Sequence, residues 1–179
     1  NCSSVPKEYL TNDDIRCYNN SVFKISNEEF KFDIEQHFKE IKRQTKVITD
    51  TPLQNIRFIM WEDGEITNKQ TNKQLKISKW IDYRKNGSIK SSQFIYLNGN
   101  KPIFKETHYD NQGNITKVID YEKGYNICWA EAIAIVKKVA KKDIEKYEVT
   151  GFYLPYRVDL NEFPNEKPEW GVLLEGNDV

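Results

Sequence analysis

Between residues 56 and 121, the chain alternates short apolar, β-branched segments with polar turns that contain glycine. Three of these turns share one pattern, which is an aromatic residue, polar residues, a glycine, any residue and then isoleucine. Their glycines are Gly64, Gly87 and Gly113, and glycine adopts the positive φ of such turns at little cost. The glycines lie 23 and 26 residues apart, which leaves about two strands between successive turns. The pattern therefore predicts an antiparallel β-meander of about five to seven strands.

Two parts of this region fit the strand pattern poorly. Residues 68–74 consist of Asn, Lys, Gln and Thr, which predicts a loose hairpin end rather than a strand. In residues 75–83, apolar and polar positions alternate, but Lys79 falls on the apolar side. We expect Lys79 to lie at a bulge or at a sheet edge, where its charge stays in water.

Helical periodicity is found on both sides of the meander. A capping box at Ser26 and Glu29 precedes apolar residues spaced three or four apart, which predicts a helix over residues 27–44. A wider apolar stripe begins at Trp129 and predicts a second helix over residues 129–142. The predicted fold class is therefore α+β, with the antiparallel meander sheet packed against these two helices.

The N-terminal residues have a different character from the rest of the chain. Residues 1–14 show no periodicity and are predicted to be a tether or linker, which leaves residues 15–179 as a single α+β domain. Cys2 and the polar residues after it resemble the mature start of a bacterial lipoprotein, in which the cysteine carries lipid. The preceding Asn is not the usual small residue, and the alternative is an arbitrary start of the chain. We expect a periplasmic or outer-membrane-associated lipoprotein that meets the membrane only through a lipid on Cys2.

Composition excludes several classes of protein. Charged residues make up 30% of the chain and the formal net charge is zero, which is typical of a globular protein that does not bind nucleic acid. Three cysteines are too few for a fold that depends on disulfides. Cys17 and Cys128 either pair with each other or are small core residues, and we favour the second alternative.

The sequence contains no motif that indicates catalysis. The two histidines, His37 and His108, and the scattered cysteines lack the spacing of metal ligands. A glycine-rich phosphate loop, a nucleophile elbow and an HExxH motif are all missing from the sequence. We therefore predict a protein that is not an enzyme and that uses neither a metal nor a cofactor. An enzyme with an unrecognised site is the hypothesis that we rank last.

Charge is distributed unevenly along the chain. Residues 66–105 contain nine basic residues and one acid, whereas residues 158–179 contain six acids and one lysine. These regions either steer a charged partner or are solvated and pair with each other in the fold. Hot spots of protein interfaces favour Trp, Tyr and Arg. The predicted partner-binding residues are exposed aromatic and charged residues of the sheet and the C-terminal region: Trp61, Trp80, Tyr83, Arg84, Glu166 and Glu169.

The hairpin repeats of residues 56–121 resemble those of MORN-like and YD-type bacterial proteins. Residues 111–125, followed by the Trp129 helix and a strand at Trp170, are similar to small lipoproteins of Bacteroidetes-type bacteria. The Trp-Ala-Glu-Ala helix and the later Trp-x-Val strand also resemble part of a PepSY module. Because such proteins often accompany secreted toxins, the resemblance implies an immunity protein that binds and inhibits a cognate toxin protein. The alternative is a structural or regulatory PepSY-like envelope lipoprotein.

Overall fold

The computed structural model describes residues 20–41 and 45–176. Seven strands form one antiparallel sheet, in which each strand pairs with its neighbours in sequence. The strands are β1 (Thr45–Asp50), β2 (Gln54–Met60), β3 (Ile66–Asn72), β4 (Ile77–Tyr83), β5 (Ile89–Tyr96), β6 (Lys101–Tyr109) and β7 (Ile115–Asp120). The predicted α+β fold with an antiparallel meander is confirmed.

The three glycine turns connect β2 to β3, β4 to β5 and β6 to β7, so they lie at the same end of the sheet. Gly64, Gly87 and Gly113 have φ angles of 85°, 79° and 85°, as the turn pattern predicts. In each turn, the glycine N–H donates to the carbonyl three residues earlier, which for Gly87 is Arg84 O at 2.8 Å. Gly87 is also crowded, because a Cβ there would lie 2.3 Å from Phe32 O. A segment from the N-terminal part of the chain therefore packs directly against this turn.

Residues 68–74 were expected to form a loose hairpin end, and this prediction is wrong for residues 68–72, which are part of β3, whereas residues 73–74 do lie in the β3–β4 turn. β3 pairs with both β2 and β4 and is an interior strand of the sheet. Its polar side chains contact neighbouring elements, since Thr71 Oγ1 lies 3.1 Å from Ser78 Oγ and Gln70 Nε2 donates to Glu29 Oε1 at 2.6 Å. The neighbouring strands supply the apolar surface that β3 lacks, and strand propensity depends strongly on such context.

The helix predicted over residues 27–44 begins later than expected and is preceded by an interruption, and residues 42–44 lie outside the described residues. A 3₁₀ turn, Asn27–Phe30, is followed by extended backbone, and the α-helix α1 begins only at Ile34 and spans Ile34–Ile41. The interruption occurs because Phe32 N–H donates to Gly87 O at 2.8 Å. Pairing of this backbone with the β4–β5 turn thus overrides the helical periodicity of the side chains.

The C-terminal part of the chain adds helices and a second sheet. The helix predicted over residues 129–142 is confirmed, with a break at Ala140, where ψ is 18°. The strand expected at Trp170 is also present. The elements are α2 (Trp129–Val139), α3 (Lys141–Lys146), β8 (Gly151–Arg157) and β9 (Trp170–Glu175), and the last two form a two-stranded antiparallel sheet.

The core lies on one face of the seven-stranded sheet, which we call the covered face. In β4 it carries Ile77, Lys79, Ile81 and Tyr83, all of them buried. Two buried clusters fill it: one includes Trp129 of α2, and the other includes residues of segment 20–41 such as Phe32 and Ile41. The opposite face of the sheet, which we call the polar face, carries Ser78, Trp80 and Asp82 of β4 and their cross-strand neighbours.

Cys128 precedes α2 and is both buried and disulfide-bonded. The favoured prediction that it is an unpaired core residue is therefore wrong. Cys2, Cys17 and the predicted tether of residues 1–14 lie outside the described residues. Within residues 20–41 and 45–176, no helix is long and apolar enough to cross a membrane.

Candidate protein-binding site

The charge of Lys79 is buried in an ion pair with the segment that precedes α1. Lys79 lies in the interior strand β4 and its side chain is 7% exposed, so the expected position at a bulge or sheet edge is wrong. Its Nζ donates to Glu29 Oε1 at 2.6 Å and to Lys24 O at 3.2 Å. Glu29 Oε2 accepts from Ser26 N–H at 2.8 Å, which confirms the predicted capping contact. These contacts fasten residues 24–30 to the covered face.

Tyr83 belongs to the same buried region. The sequence predicts an exposed aromatic residue, but Tyr83 is 1% exposed and its hydroxyl donates to Glu29 O at 2.9 Å. Burial raises the pKa of its phenol well above the usual value, and the nearby Glu29 carboxylate acts in the same direction. Tyr83 therefore supports the sheet from its covered face, and its predicted exposure is wrong.

Arg84 also makes internal contacts. Its guanidinium donates to three backbone carbonyls, which belong to Ile89, Tyr109 and Asp110. These carbonyls lie beside two neighbouring glycine turns, and the planar guanidinium fork can reach both at once. Arg84 therefore holds the β4–β5 and β6–β7 turns in a fixed relative position.

Several of the basic residues expected to form a charged surface are paired within the sheet region. Lys73 Nζ lies 2.6 Å from Asp50 Oδ1, Lys90 contacts Glu65, and Lys79 pairs as described above. The acids in these pairs precede residue 66. One of the two interpretations of the charge pattern expected the basic region to pair with the acidic C-terminal region. These three lysines instead pair with acids elsewhere in the chain.

A continuous row of polar contacts crosses the polar face near the glycine turns. Trp61 is 53% exposed, and its Nε1 donates to Thr67 Oγ1 at 2.9 Å. Thr67 Oγ1 in turn donates to Asp82 Oδ1 at 2.6 Å, and Ser91 Oγ donates to Asp82 Oδ2 at 2.9 Å. The row fixes the indole of Trp61 against the sheet and leaves its ring accessible.

Trp80 lies in the adjacent row of the polar face, near the middle of the sheet. Its indole N–H donates to Ser78 Oγ at 2.9 Å, and Lys69 Nζ lies 4.6 Å from the centre of its ring. Lys69 is directly opposite Trp80 on one side and directly opposite Arg57 on the other. Burial lowers the pKa of Lys69, and the charge of Arg57 lowers it further. Two cations and one tryptophan are thus held side by side.

His108 is on the polar face as well, opposite Ser91. Its Nε2 lies 2.8 Å from Glu106 Oε1 without the alignment of a hydrogen bond, and Glu106 also accepts from the hydroxyl of Tyr121. Ser, His and Asp side chains thus occur in one row, but Ser91 donates to Asp82 rather than to His108. The order differs from a nucleophilic triad, in which the histidine accepts the serine proton.

Glu166 and Glu169, the two acids predicted as partner contacts, lie in the exposed loop between β8 and β9. The loop is held by Tyr125, whose hydroxyl donates to Glu169 O at 2.9 Å and accepts from Glu169 N–H at 3.0 Å. Among the described residues, no hydrogen bond or ion pair joins either acid to Trp61 or Trp80. The predicted contacts therefore lie on different elements, with Trp61 and Trp80 on the polar face and the two acids in the β8–β9 loop, while Tyr83 is buried and Arg84 is engaged internally.

Arg57 and Lys69 were not among the predicted site residues. Sequence reasoning missed them because only the observed strand register places the two residues directly opposite each other beside Trp80.

In the part of the chain that the structure describes, no group of three or more His, Cys, Asp and Glu side chains is arranged to hold a metal ion. Comparisons with protein-family models, curated proteins and solved structures found no match.

Proposed function

We propose that this protein is a non-enzymatic, protein-binding module that inhibits a cognate secreted bacterial toxin, and that it binds the toxin through the polar face. The observation that carries the proposal is the ordered pair of indoles, Trp61 and Trp80. Each indole N–H already donates to a hydroxyl of the sheet, so both rings are fixed before a partner arrives. Fixed aromatic side chains lose little conformational entropy on binding and are frequent hot spots.

The disulfide at Cys128 supports a location outside the reducing cytosol. Disulfides form and persist in the periplasm and outside the cell, and they are rare in cytosolic proteins. An envelope lipoprotein anchored through a lipid on Cys2 would occupy such a compartment and would meet an incoming toxin there. This location is part of the proposal.

The predicted contact residues take different roles in the proposal. Trp61 and Trp80 contact the toxin, whereas Tyr83 and Arg84 keep the sheet and its turns in position beneath them. Glu166 and Glu169 form a second, acidic surface that contacts the toxin only if its interface extends to the β8–β9 loop.

Capture from the secreted and envelope fractions of the producing bacterium tests the proposal. The bait proteins are the wild type, Trp80→Ala, Trp61→Ala and the control Val118→Ala. Val118 is an exposed apolar residue whose cross-strand neighbour Thr107 pairs with Ser92, so it lies on the covered side of the sheet. We expect one secreted enzyme to be retained by the wild type and the control and to be lost by both tryptophan variants.

A second step tests inhibition directly. The retained enzyme is purified, and its activity is measured with increasing amounts of the wild type and of each variant. Inhibition by the wild type and the control, with loss of at least about 2 kcal/mol of binding free energy in Trp80→Ala, is the expected result. Equal retention by all four bait proteins, or retention without inhibition, would contradict the proposal.

The PepSY-like regulatory lipoprotein is the second candidate function. It is favoured by α2 and β9, the two elements that carry that resemblance, because they pack against each other. A groove of about 430 Å³ lies beside them and is lined by Ile135, Val136, Trp170 and Val172. Retention of an envelope protein that survives Trp80→Ala but is lost in Ile135→Asp would favour this candidate.

A further inference from the structure

Two positive side chains face each other on the polar face, and neither directly contacts a carboxylate of the described residues. Arg57 of β2 and Lys69 of β3 are directly opposite residues in the observed register, and both are half-buried. Like charges at directly opposite positions of a sheet are destabilising. Neither residue forms an ion pair with any residue that the structure describes. The fold thus maintains an unfavourable arrangement that an anion would relieve.

Both cations are held in position by their neighbours. Arg57 Nε donates to Asn55 Oδ1 at 2.9 Å, and Asn55 is only 5% exposed. Lys69 Nζ lies over the ring of Trp80. The nearby acids are already engaged, since Asp82 accepts from two hydroxyls and Asp50 is paired with a lysine. The Asp50 carboxylate is near enough to Arg57 for the Arg57 charge to help lower its pKa, but its direct contact is with Lys73. Among the described residues, no carboxylate therefore contacts Arg57 or Lys69 directly.

We propose that Arg57 and Lys69 bind a carboxylate of the partner protein, with an apolar part of the same acidic segment packing against Trp80. The proposal rests on the proposed function and names the chemistry of its partner as an acidic protein surface. An arginine can bind a carboxylate through two parallel hydrogen bonds, and a lysine beside it adds a point charge. The carboxylate would replace the repulsion between the two cations with two attractive contacts.

A carboxylate fits this site better than a nucleic-acid phosphate. Nucleic-acid affinity comes from many phosphate contacts. This site offers only two cations, and the negatively charged Asp82 lies in the next row of the same face. The zero net charge of the whole chain gives no general attraction for a polyanion.

A hexaglutamate peptide is a defined probe for this site. The peptide is titrated into the protein, and binding is followed by NMR signals of the Trp80 indole and the Lys69 side chain. The variants are Arg57→Gln and Lys69→Gln, and Lys123→Gln is the control because it removes the same charge from an exposed turn. We expect each site variant to weaken peptide binding by about tenfold and the control to leave it unchanged. Equal weakening by all three variants, or tighter binding of a six-nucleotide oligothymidylate at the same ionic strength, would overturn the proposal.

A second readout does not depend on affinity. Arg57→Gln should raise the pKa of Lys69, because it removes the neighbouring charge that lowers it, and bound hexaglutamate should raise that pKa in the wild type. A Lys69 pKa that is the same with and without saturating hexaglutamate would overturn the proposal.

The captured partner separates failure of this inference from failure of the proposed function. Loss of partner binding in Trp80→Ala with full binding in Arg57→Gln and Lys69→Gln would overturn the carboxylate site and leave the proposed function intact. Specific hexaglutamate binding at Arg57 and Lys69 without capture or inhibition of any toxin would support the anion site and contradict the proposed function.

Discussion

The buried ion pair between Glu29 and Lys79 gives the sharpest test of how this fold is held together. Replacing Glu29 with Gln leaves the Lys79 ammonium, whose side chain is 7% exposed, with one backbone carbonyl and a neutral amide as partners. Removing one partner of a buried pair typically costs about 3 to 5 kcal/mol, because the other charge stays buried and uncompensated. We expect Glu29→Gln to lower the free energy of unfolding by that amount.

The opposite substitution should cost less. In Lys79→Met, the Glu29 carboxylate keeps hydrogen bonds from Gln70 Nε2 and from Ser26 N–H, and it is closer to solvent at 14% exposed. The double variant Glu29→Gln/Lys79→Met should be more stable than Glu29→Gln alone, because its ammonium is gone. The two single losses should therefore fail to add, with a coupling free energy between about 0.5 and 3 kcal/mol.

Urea unfolding followed by circular dichroism measures these differences. With a slope of about 2 kcal/mol per molar urea, the midpoint of Glu29→Gln should fall by about 1.5 to 2.5 M. Asp50→Asn is the matched control, because it breaks the exposed pair with Lys73 and should leave the midpoint near that of the wild type. A loss below about 1 kcal/mol in Glu29→Gln, or strict additivity in the double variant, would refute the reasoning.

Three further predictions concern the turns, a buried phenol and the disulfide. Gly87→Ala should destabilise the protein more than Gly113→Ala. Both residues have positive φ, but only a Cβ at position 87 would clash with backbone atoms. Equal urea midpoints for the two variants would contradict this prediction. Burial raises the pKa of Tyr96 to about 12. The stability that this pKa shift contributes should be complete below about pH 10, the ordinary tyrosine pKa, and should be lost as the pH rises through 12. Unfolding measured from pH 9 to 12 should show this loss, and Tyr96→Phe should reduce it. A reducing agent should lower the melting temperature of the wild type but not that of Cys128→Ala, and an equal response of both would argue against a stabilising disulfide.

The meander was predictable because its turns carry a local signal. A glycine at a position with positive φ, followed by isoleucine two residues later, marks where one strand ends and the next begins, and all three such turns are present. The helix at α2 was predictable for a similar reason, since its apolar stripe lies entirely within one segment. Both features depend on residues that are close in sequence.

The features that sequence patterns missed depend on contacts between distant segments. Lys79 breaks the strand alternation, and its burial makes sense only with Glu29, which lies 50 residues away in sequence. The segment around Phe32 has helical periodicity but pairs with the turn at Gly87. The positions of Tyr83 on the covered face and of Arg57 beside Lys69 require the strand register, which no local pattern determines.

The order of the strands also has a consequence for the speed of folding. Every pairing in the seven-stranded sheet joins strands that are adjacent in sequence, so the sheet can grow hairpin by hairpin with short loops to close. Docking of residues 24–30 instead closes a loop of about 50 residues and is expected to follow sheet formation. Substitutions at Glu29 should then increase the unfolding rate and change the folding rate little. The lifetime of the native state would depend on this docked segment, whereas the rate of reaching that state would depend on the glycine turns.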